Sequence, residues 1–257
     1  MTPSLDVTYV GHATVLLQVD GAKILTDPVL RNQVMHLRRS TANIQADWYR
    51  DVDAVLVSHM HYDHLDLPSL AMLGEKTRLI VPRGMAAMLK RQGFINIEEL
   101  AVDDSTTAGK LTIHATPASH DRARFRGGPS ADTLGFVIEG SQTAYFPGDT
   151  DIFPEMSSLP ANIDVALMPV WGWGPTLGQG HLDPYRAAVA LQMISPRLAI
   201  PIHWGTLSPL GFKWFSPRFL VDPPHTFARH AQTLAPDVTV KILNPGEAVS
   251  VSHTNGK

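Results

Sequence analysis

The apolar positions of this chain fall in short, β-branched runs separated by polar turns, with a few longer stretches of helical spacing between them. Three strand-like runs open the chain: Leu5 to Val10, Ala13 to Val19 and Lys23 to Thr26. The last two are joined by Asp20-Gly21, a hairpin signal because both residues tolerate the left-handed backbone of a tight turn. After a looser segment from Arg38 to Trp48, Asp53 to Ser58 predicts a buried strand and Asp66 to Leu73 a helix with Pro68 in its first turn. Residues 78 to 82 predict a strand, and Arg83 to Gln92 a helix stopped by Gly93.

The second half follows the same plan. Strands are predicted at Lys110 to Ala115, Thr133 to Glu139 and Thr143 to Phe146, with a turn at Gly140-Ser141-Gln142. A helix near Ile152 to Ser158 leads into a buried strand, Asp164 to Met168. Asp183 to Ile194 follows as a helix with Pro184 at its first position, then a strand at Leu198 to Ile202 and a helix at Pro223 to Leu234. Val238 to Ile242 and Ala248 to Val251 are closing strands. Each half thus passes from a strand meander to strands alternating with helices. The economical architecture is an α/β four-layered αββα sandwich, two mixed sheets face to face with helices outside, folded as one domain over residues 1–257.

Composition narrows the chemistry. A hydrophobic fraction of 44% is ordinary for a soluble globule, and a net charge of -3 with interspersed signs gives no global reason to expect nucleic acid or an anionic membrane as partner. Cysteine is absent, so metal ligation must come from nitrogen and oxygen. The N-terminal residues lack a basic segment followed by a continuous apolar one, which makes the cytoplasm the expected location. Pro169, Gly172 and Pro175 interrupt the most apolar region, so no integral membrane association is expected.

Directly after the strand ending at Ser58 stand His59-Met60-His61-Tyr62-Asp63-His64. Histidine-rich turns do occur on surfaces. Three imidazoles and a carboxylate crowded at a sheet edge, however, need a partner, and their donor set suits zinc, manganese or iron. Further ligands would have to arrive from other strand ends. His120, Asp149 in Pro147-Gly148-Asp149-Thr150, and His203 in Ile202-His203-Trp204-Gly205-Thr206 all occupy that position relative to their strands.

The His-x-His-x-Asp-His loop, the later lone histidine, the Gly-Asp-Thr turn and the Ile-His-Trp-Gly-Thr element resemble the metallo-β-lactamase superfamily of binuclear hydrolases. Gly11-His12-Ala13-Thr14 and Leu25-Thr26-Asp27-Pro28 resemble that superfamily's opening hairpins. The resemblance covers nearly the whole chain and implies two divalent metal ions, zinc first, with manganese or iron as alternatives. His59, His61 and His120 would hold one ion, Asp63, His64 and His203 the other, and Asp149 would bridge them. Such a pair activates water at neutral pH and polarises the substrate oxygen. Flavodiiron oxygen reductases share the fold but typically carry glutamate where this chain has His61, and the cysteine-ligated β-lactamases are excluded.

Gly180-His181-Leu182-Asp183-Pro184, with Asp222-Pro223-Pro224 and Asn244-Pro245-Gly246-Glu247, resembles the N-acyl-phosphatidylethanolamine phospholipase D group, while the compact length and opening hairpins resemble equally the L-ascorbate-6-phosphate lactonase group. The former implies that His181 faces substrate as an auxiliary acid or oxyanion contact, so Asp63 and His181 are the catalytic candidates; the alternative for His181 is a simple neighbour of a helix N-cap. Arg122 and Arg124 lie on a glycine-ended loop beside His120 and would grip phosphate through their guanidinium forks, unless that loop is merely solvated surface. The loops holding Trp171 and Trp173, and Leu210 to Phe215, are expected to overhang the site as pocket wall or lid, or to pack against each other or a second subunit in a homo-oligomer.

The expected function is hydrolysis of a small-molecule phosphodiester, soluble or lipid-like, with hydrolysis of a lactone or other ester as the alternative. A reading from another class is a non-catalytic, metal-stabilised sensor or binding protein. His114, His225 and His230 read as structural or surface residues, and His12 as a weak candidate for supporting the site from behind.

Overall fold

The structure is a computed structural model and describes residues 4–41, 44–160, 162–211 and 218–252. In chain order the strands are β1 (Ser4–Gly11), β2 (Thr14–Val19), β3 (Ala22–Thr26), β4 (Gln33–Val34), β5 (Leu37–Arg39), β6 (Ala54–Leu56), β7 (Leu79–Pro82), β8 (Ile97–Leu100) and β9 (Ser105–Ala108). They continue as β10 (Leu111–Pro117), β11 (Leu134–Glu139), β12 (Thr143–Phe146), β13 (Val165–Pro169), β14 (Leu198–Ile202), β15 (Leu207–Pro209), β16 (Thr239–Val240) and β17 (Ala248–Ser252). The helices are α1 (Leu67–Leu73), α2 (Ala86–Arg91), α3 (Pro184–Ile194) and α4 (Arg218–Leu234).

Among the described residues the strands form two seven-stranded sheets, β17-β1-β2-β3-β6-β7-β8 and β16-β14-β13-β12-β11-β10-β9, and a three-stranded one, β15-β5-β4. Each large sheet is antiparallel at its hairpin end and parallel where helices intervene: β3, β6, β7 and β8 run parallel, as do β12, β13, β14 and β16. The chain is thus an α/β protein of two large mixed sheets with helices outside, as the sequence predicts.

Alternation along the strands creates the layers. Ala54 and Leu56 of β6, with Leu17 and Ile24, join the large core that includes Phe136, Ile138 and Phe146 of the second sheet. Their neighbours Leu16, Leu25, Val55 and Val57 point the other way, onto Leu70 of α1 and Leu89 of α2. Asp66 caps α1, its carboxylate accepting from the Ser69 amide at 3.2 Å, with Pro68 inside the first turn.

Several sequence expectations need correction. The segment Ile152 to Ser158 is not an α-helix: only a 3-10 turn, Pro154–Ser158, forms. The last helix begins at Arg218, not Pro223, and carries Pro223 and Pro224 inside it, both buried. β4, β5, β8, β9 and β15 carry no strand prediction because they are short and largely polar or lie at edges. Phe212, Lys213, Trp214 and Phe215 of the expected aromatic loop lie outside the described residues. Among the described residues no helix is long and apolar enough to cross a membrane.

Candidate metal centre

His59, His61, Asp63 and His64 leave the C-terminal end of β6, where the backbone curls so that the His64 and Leu65 amides donate to the His61 carbonyl at 3.1 and 2.7 Å. His120, Asp149 and His203 leave the ends of β10, β12 and β14 of the other sheet. The site therefore straddles the seam between the sheets at the carboxyl ends of their parallel strands, where α/β folds place ligands. Two close approaches hold the seam. The His203 amide donates to the His12 carbonyl at 2.8 Å and the His12 amide donates to Thr206 Oγ1 at 2.7 Å. The Gly148 turn also lies so near Ser58 that a side chain there would collide with it.

All seven predicted ligands converge. His61 Nδ1 is 3.0 Å from both His59 Nε2 and His120 Nε2, forming one trio. His64 Nε2 is 3.0 Å from His203 Nε2, and Asp63 Oδ2 lies 3.7 Å from each, forming a second. Asp149 stands between them: one oxygen is 3.1 Å from His64 Nε2 and 4.0 Å from His59 Nε2, the other 3.3 Å from His203 Nε2. The spacing matches what ligands at about 2.0–2.1 Å around one zinc ion would show, about 3.3 Å apart.

The backs of the imidazoles decide whether such an ion fits. His120 Nδ1 donates to the Gly180 carbonyl at 2.7 Å, and His203 Nδ1 to the Trp171 carbonyl at 2.7 Å. With Nδ1 as the donor, the neutral form of either ring aims an Nε2 lone pair inward. Asp149 Oδ1 is buried without a hydrogen bond. Converging lone pairs and an orphaned carboxylate oxygen are what a divalent cation satisfies, so the donor set fits one.

Charge in the cluster is arranged to match. Burial opposes ionisation of Asp63 and Asp149, yet the surrounding histidines hold both carboxyls well below the usual range. Burial also disfavours a charged His64, but Asp149, Asp63 and Asp27 together lift it well above the ordinary histidine value. His59 is driven the other way by burial, with His64 and His120 adding repulsion, and burial lowers His120 to about 4. His64 thus holds the place of a cation among three carboxylates.

His181 Nε2 lies 3.4 Å from Asp149 Oδ2, its ring edge-on to His120. Burial lowers its pKa, but the bond to Asp149 and the Gly178 and Gln179 carbonyls outweigh that and raise it to about 9. It faces a cavity of about 260 Å³ walled by Val34, Met35, Leu37, Tyr62 and Trp173, with His61, Asp63 and Asp149 at its floor.

The arginine loop is where expectation and structure part. Arg122 is not brought to the cluster; it pairs with Asp132 at 2.9 Å and does not line the cavity. Arg124 borders the cavity, but its guanidinium is turned inward, donating to the Met60 and Leu65 carbonyls at 2.7 and 3.1 Å and lying 4.2 Å over the Tyr62 ring. The curled histidine loop exposes carbonyls that need a donor, and this arginine is consumed in supplying it. Trp173 lines the cavity, whereas Trp171 holds His203 through its carbonyl and donates its indole N–H to Gly174.

Two residues stand behind the ligands. His12, only weakly suspected from sequence, reaches Asp63, and Asp27 has no assigned role there although it contacts His64 at 2.6 Å. Their one common signal is backbone: His12, Asp27 and His203 all have positive φ, at 58°, 32° and 63°, a strained geometry that non-glycine residues keep where the surroundings enforce it.

Comparison with known proteins agrees with this site. The profile of the Beta-lactamase superfamily domain matches residues 22–204. The chain is 30% identical to a metal-dependent hydrolase of the UPF0173 group from Methanopyrus kandleri, over 94% of this chain and 98% of that protein. It is 29% identical to N-acyl-phosphatidylethanolamine-hydrolyzing phospholipase D 1 of Caenorhabditis elegans, over 80% of this chain and 65% of that protein. Among solved structures, Igni18, a metallo hydrolase from Ignicoccus hospitalis, superposes with a TM-score of 0.75 at 23% identity, covering 98% of this chain and 100% of that one, a likeness of fold. The chain belongs to the metallo-β-lactamase superfamily, and within it to the metal-dependent hydrolases.

Proposed function

We propose that this chain is a binuclear hydrolase that cleaves a phosphodiester bearing an apolar group. The observation that carries the reading is the pair of donor trios facing each other across Asp149, with His59, His61 and His120 on one side and Asp63, His64 and His203 on the other. Divalent ions held there, zinc before manganese or iron for so imidazole-rich a set, supply an acidified water and a Lewis acid. The protein's own residues do the rest. Asp149 keeps the two trios in register, Asp63 faces the cavity floor, and His181 offers Nε2 at the same floor as a proton donor to a departing alkoxide. The apolar wall from Val34 to Trp173 favours a substrate whose flank is acyl or aryl. The phospholipase relative supports the phosphodiester over other esters.

A second reading, hydrolysis of a lactone or carboxylic ester, is favoured by Arg124. The guanidinium at the cavity is committed to backbone carbonyls, leaving a carbonyl substrate as well served as a phosphoryl one. Assay of the zinc-loaded protein on bis(p-nitrophenyl) phosphate and on a panel of lactones separates the two. Turnover of the phosphodiester, abolished by His59→Ala, supports the proposal; turnover of lactones only reverses the order, and metal uptake without turnover of either class favours a sensor.

A further inference from the structure

Asp27 does not line the cavity, yet it is fully buried and bonded to His64 directly and to His59 through Ser58. Its Oδ1 accepts from the Ser58 amide at 2.7 Å, and its Oδ2 accepts from the Ser58 hydroxyl at 2.5 Å and from His64 Nδ1 at 2.6 Å. The Ser58 hydroxyl has one proton, and the carboxylate takes it. The serine oxygen is then an acceptor only, and the ring nitrogen 2.8 Å from it, His59 Nδ1, must be the donor.

The consequence reaches both trios. In the neutral, ligating form of each ring, a proton on His59 Nδ1 leaves Nε2 bare toward His61 and Asp149, and a proton on His64 Nδ1 leaves Nε2 bare toward His203 and Asp149. We propose that Asp27 is a positioning residue that sets the ligating tautomer of one histidine in each trio, His64 directly and His59 through the Ser58 hydroxyl, and so ties the affinities of the two metal positions to one carboxylate. The inference rests on the reading of the two trios as metal sites. His120 and His203 have private anchors, Gly180 O and Trp171 O, which no single side-chain substitution removes.

The strained backbone at Asp27, directly after β3 with a φ of 32°, fits this role, because such a geometry persists where the surroundings enforce it. The Asp-Ser-His relay also extends a general pattern, in which the partner behind a ligating imidazole sets its orientation and basicity.

The test uses zinc alone and does not require turnover. In the zinc-loaded protein, the Nδ1–H protons of His59 and His64 are expected as two exchange-protected downfield proton resonances. Ser58→Ala should remove the His59 signal and keep that of His64, and should weaken zinc at one position by about 10–100-fold. Asp27→Asn should remove or move both signals and weaken both positions by a similar factor. A Ser58→Ala protein that keeps its His59 proton and wild-type affinity overturns the relay, whether or not Asp27→Asn folds. An Asp27→Asn protein that loses one signal only overturns the coupling. If the wild-type chain takes up a single zinc ion the binuclear proposal fails, while the two proton resonances still stand or fall with Asp27.

Discussion

His12 Nε2 lies 2.8 Å from Asp63 Oδ2, with both side chains buried and the His12 ring centroid 4.0 Å from that of His203, the two rings tilted by 38°. One imidazole from the first hairpin thus braces two members of the second trio. Burial, with repulsion from His203, lowers His12 to about 3, so it is neutral and serves Asp63 as an N–H donor. His12→Ala should weaken metal binding at the second trio by about 10–100-fold and leave any binding at the first unchanged, read by chelator competition. His12→Asn or Gln, which restores a donor without the ring, should recover part of that loss if the hydrogen bond is what matters. Equal loss at both positions would instead mark His12 as a general support of the seam.

The metal-free protein should show its charge arrangement in its pH dependence. His181 has a folded pKa raised to about 9 against an ordinary 6.5, so its contribution to stability is full below about pH 6.5 and is lost as pH rises through 9. His120, lowered to about 4, acts oppositely: its contribution is full above 6.5 and is lost as pH falls toward 4. Denaturant titrations in chelator should therefore find maximal stability near neutrality, with an alkaline decline that disappears in His181→Gln. A decline that persists unchanged in that variant would dissociate it from the Asp149–His181 pair.

Arg124 and Arg122 should separate cleanly. Arg124 holds two carbonyls beneath the histidine loop and covers Tyr62, so Arg124→Ala leaves buried acceptors unpaired and should destabilise the protein by about 2–4 kcal/mol. Arg122 sits in an exposed pair with Asp132, and Arg122→Ala should change stability by less than about 0.5 kcal/mol and leave KM alone. Thermal denaturation checks the first figure. A raised KM for a phosphodiester in Arg122→Ala, with stability intact, would return that residue to substrate binding.

These arginines show the limit of what the sequence made legible. Residue type and strand position were readable: His59 to His64, His120, Asp149 and His203 each follow the end of a strand-like run, and that shared placement brings them together. Side-chain direction was not readable. Nothing local tells Arg124 to turn inward, because the carbonyls it meets belong to Met60 and Leu65 some sixty residues earlier. Asp27 was hidden for the same reason; its partners Ser58 and His64 lie 31 and 37 positions away, and Thr26-Asp27-Pro28 by itself reads as a turn. Among the elements, buried β6, β13 and β14 announced themselves, whereas β8 and β9, with Glu98, Glu99, Thr106 and Thr107 on short segments near one end of their sheets, did not.

The mouth of the cavity carries the last prediction. The turn between β4 and β5 places Met35 and His36 opposite the loop after β13, where His36 meets Trp173 edge to face at 5.3 Å. Phe125 stacks on Tyr62 nearby, and Met35, Phe125 and Trp173 all leave apolar surface exposed around the opening. Exposed apolar side chains cost little singly, but gathered around a catalytic cavity they offer a landing for an apolar part of the substrate. None of them is a member of the donor trios, so their removal should act on binding and not on the chemical step. Trp173→Ala should raise KM about tenfold for an ester with a long acyl or aryl group, the loss of roughly 1.4 kcal/mol of contact, with kcat nearly unchanged. For a short-chain ester of the same reacting group the variant and the wild type should differ little. If kcat falls for both substrates while KM holds, Trp173 acts on the cluster through its loop, and the apolar flank of the substrate must be sought elsewhere.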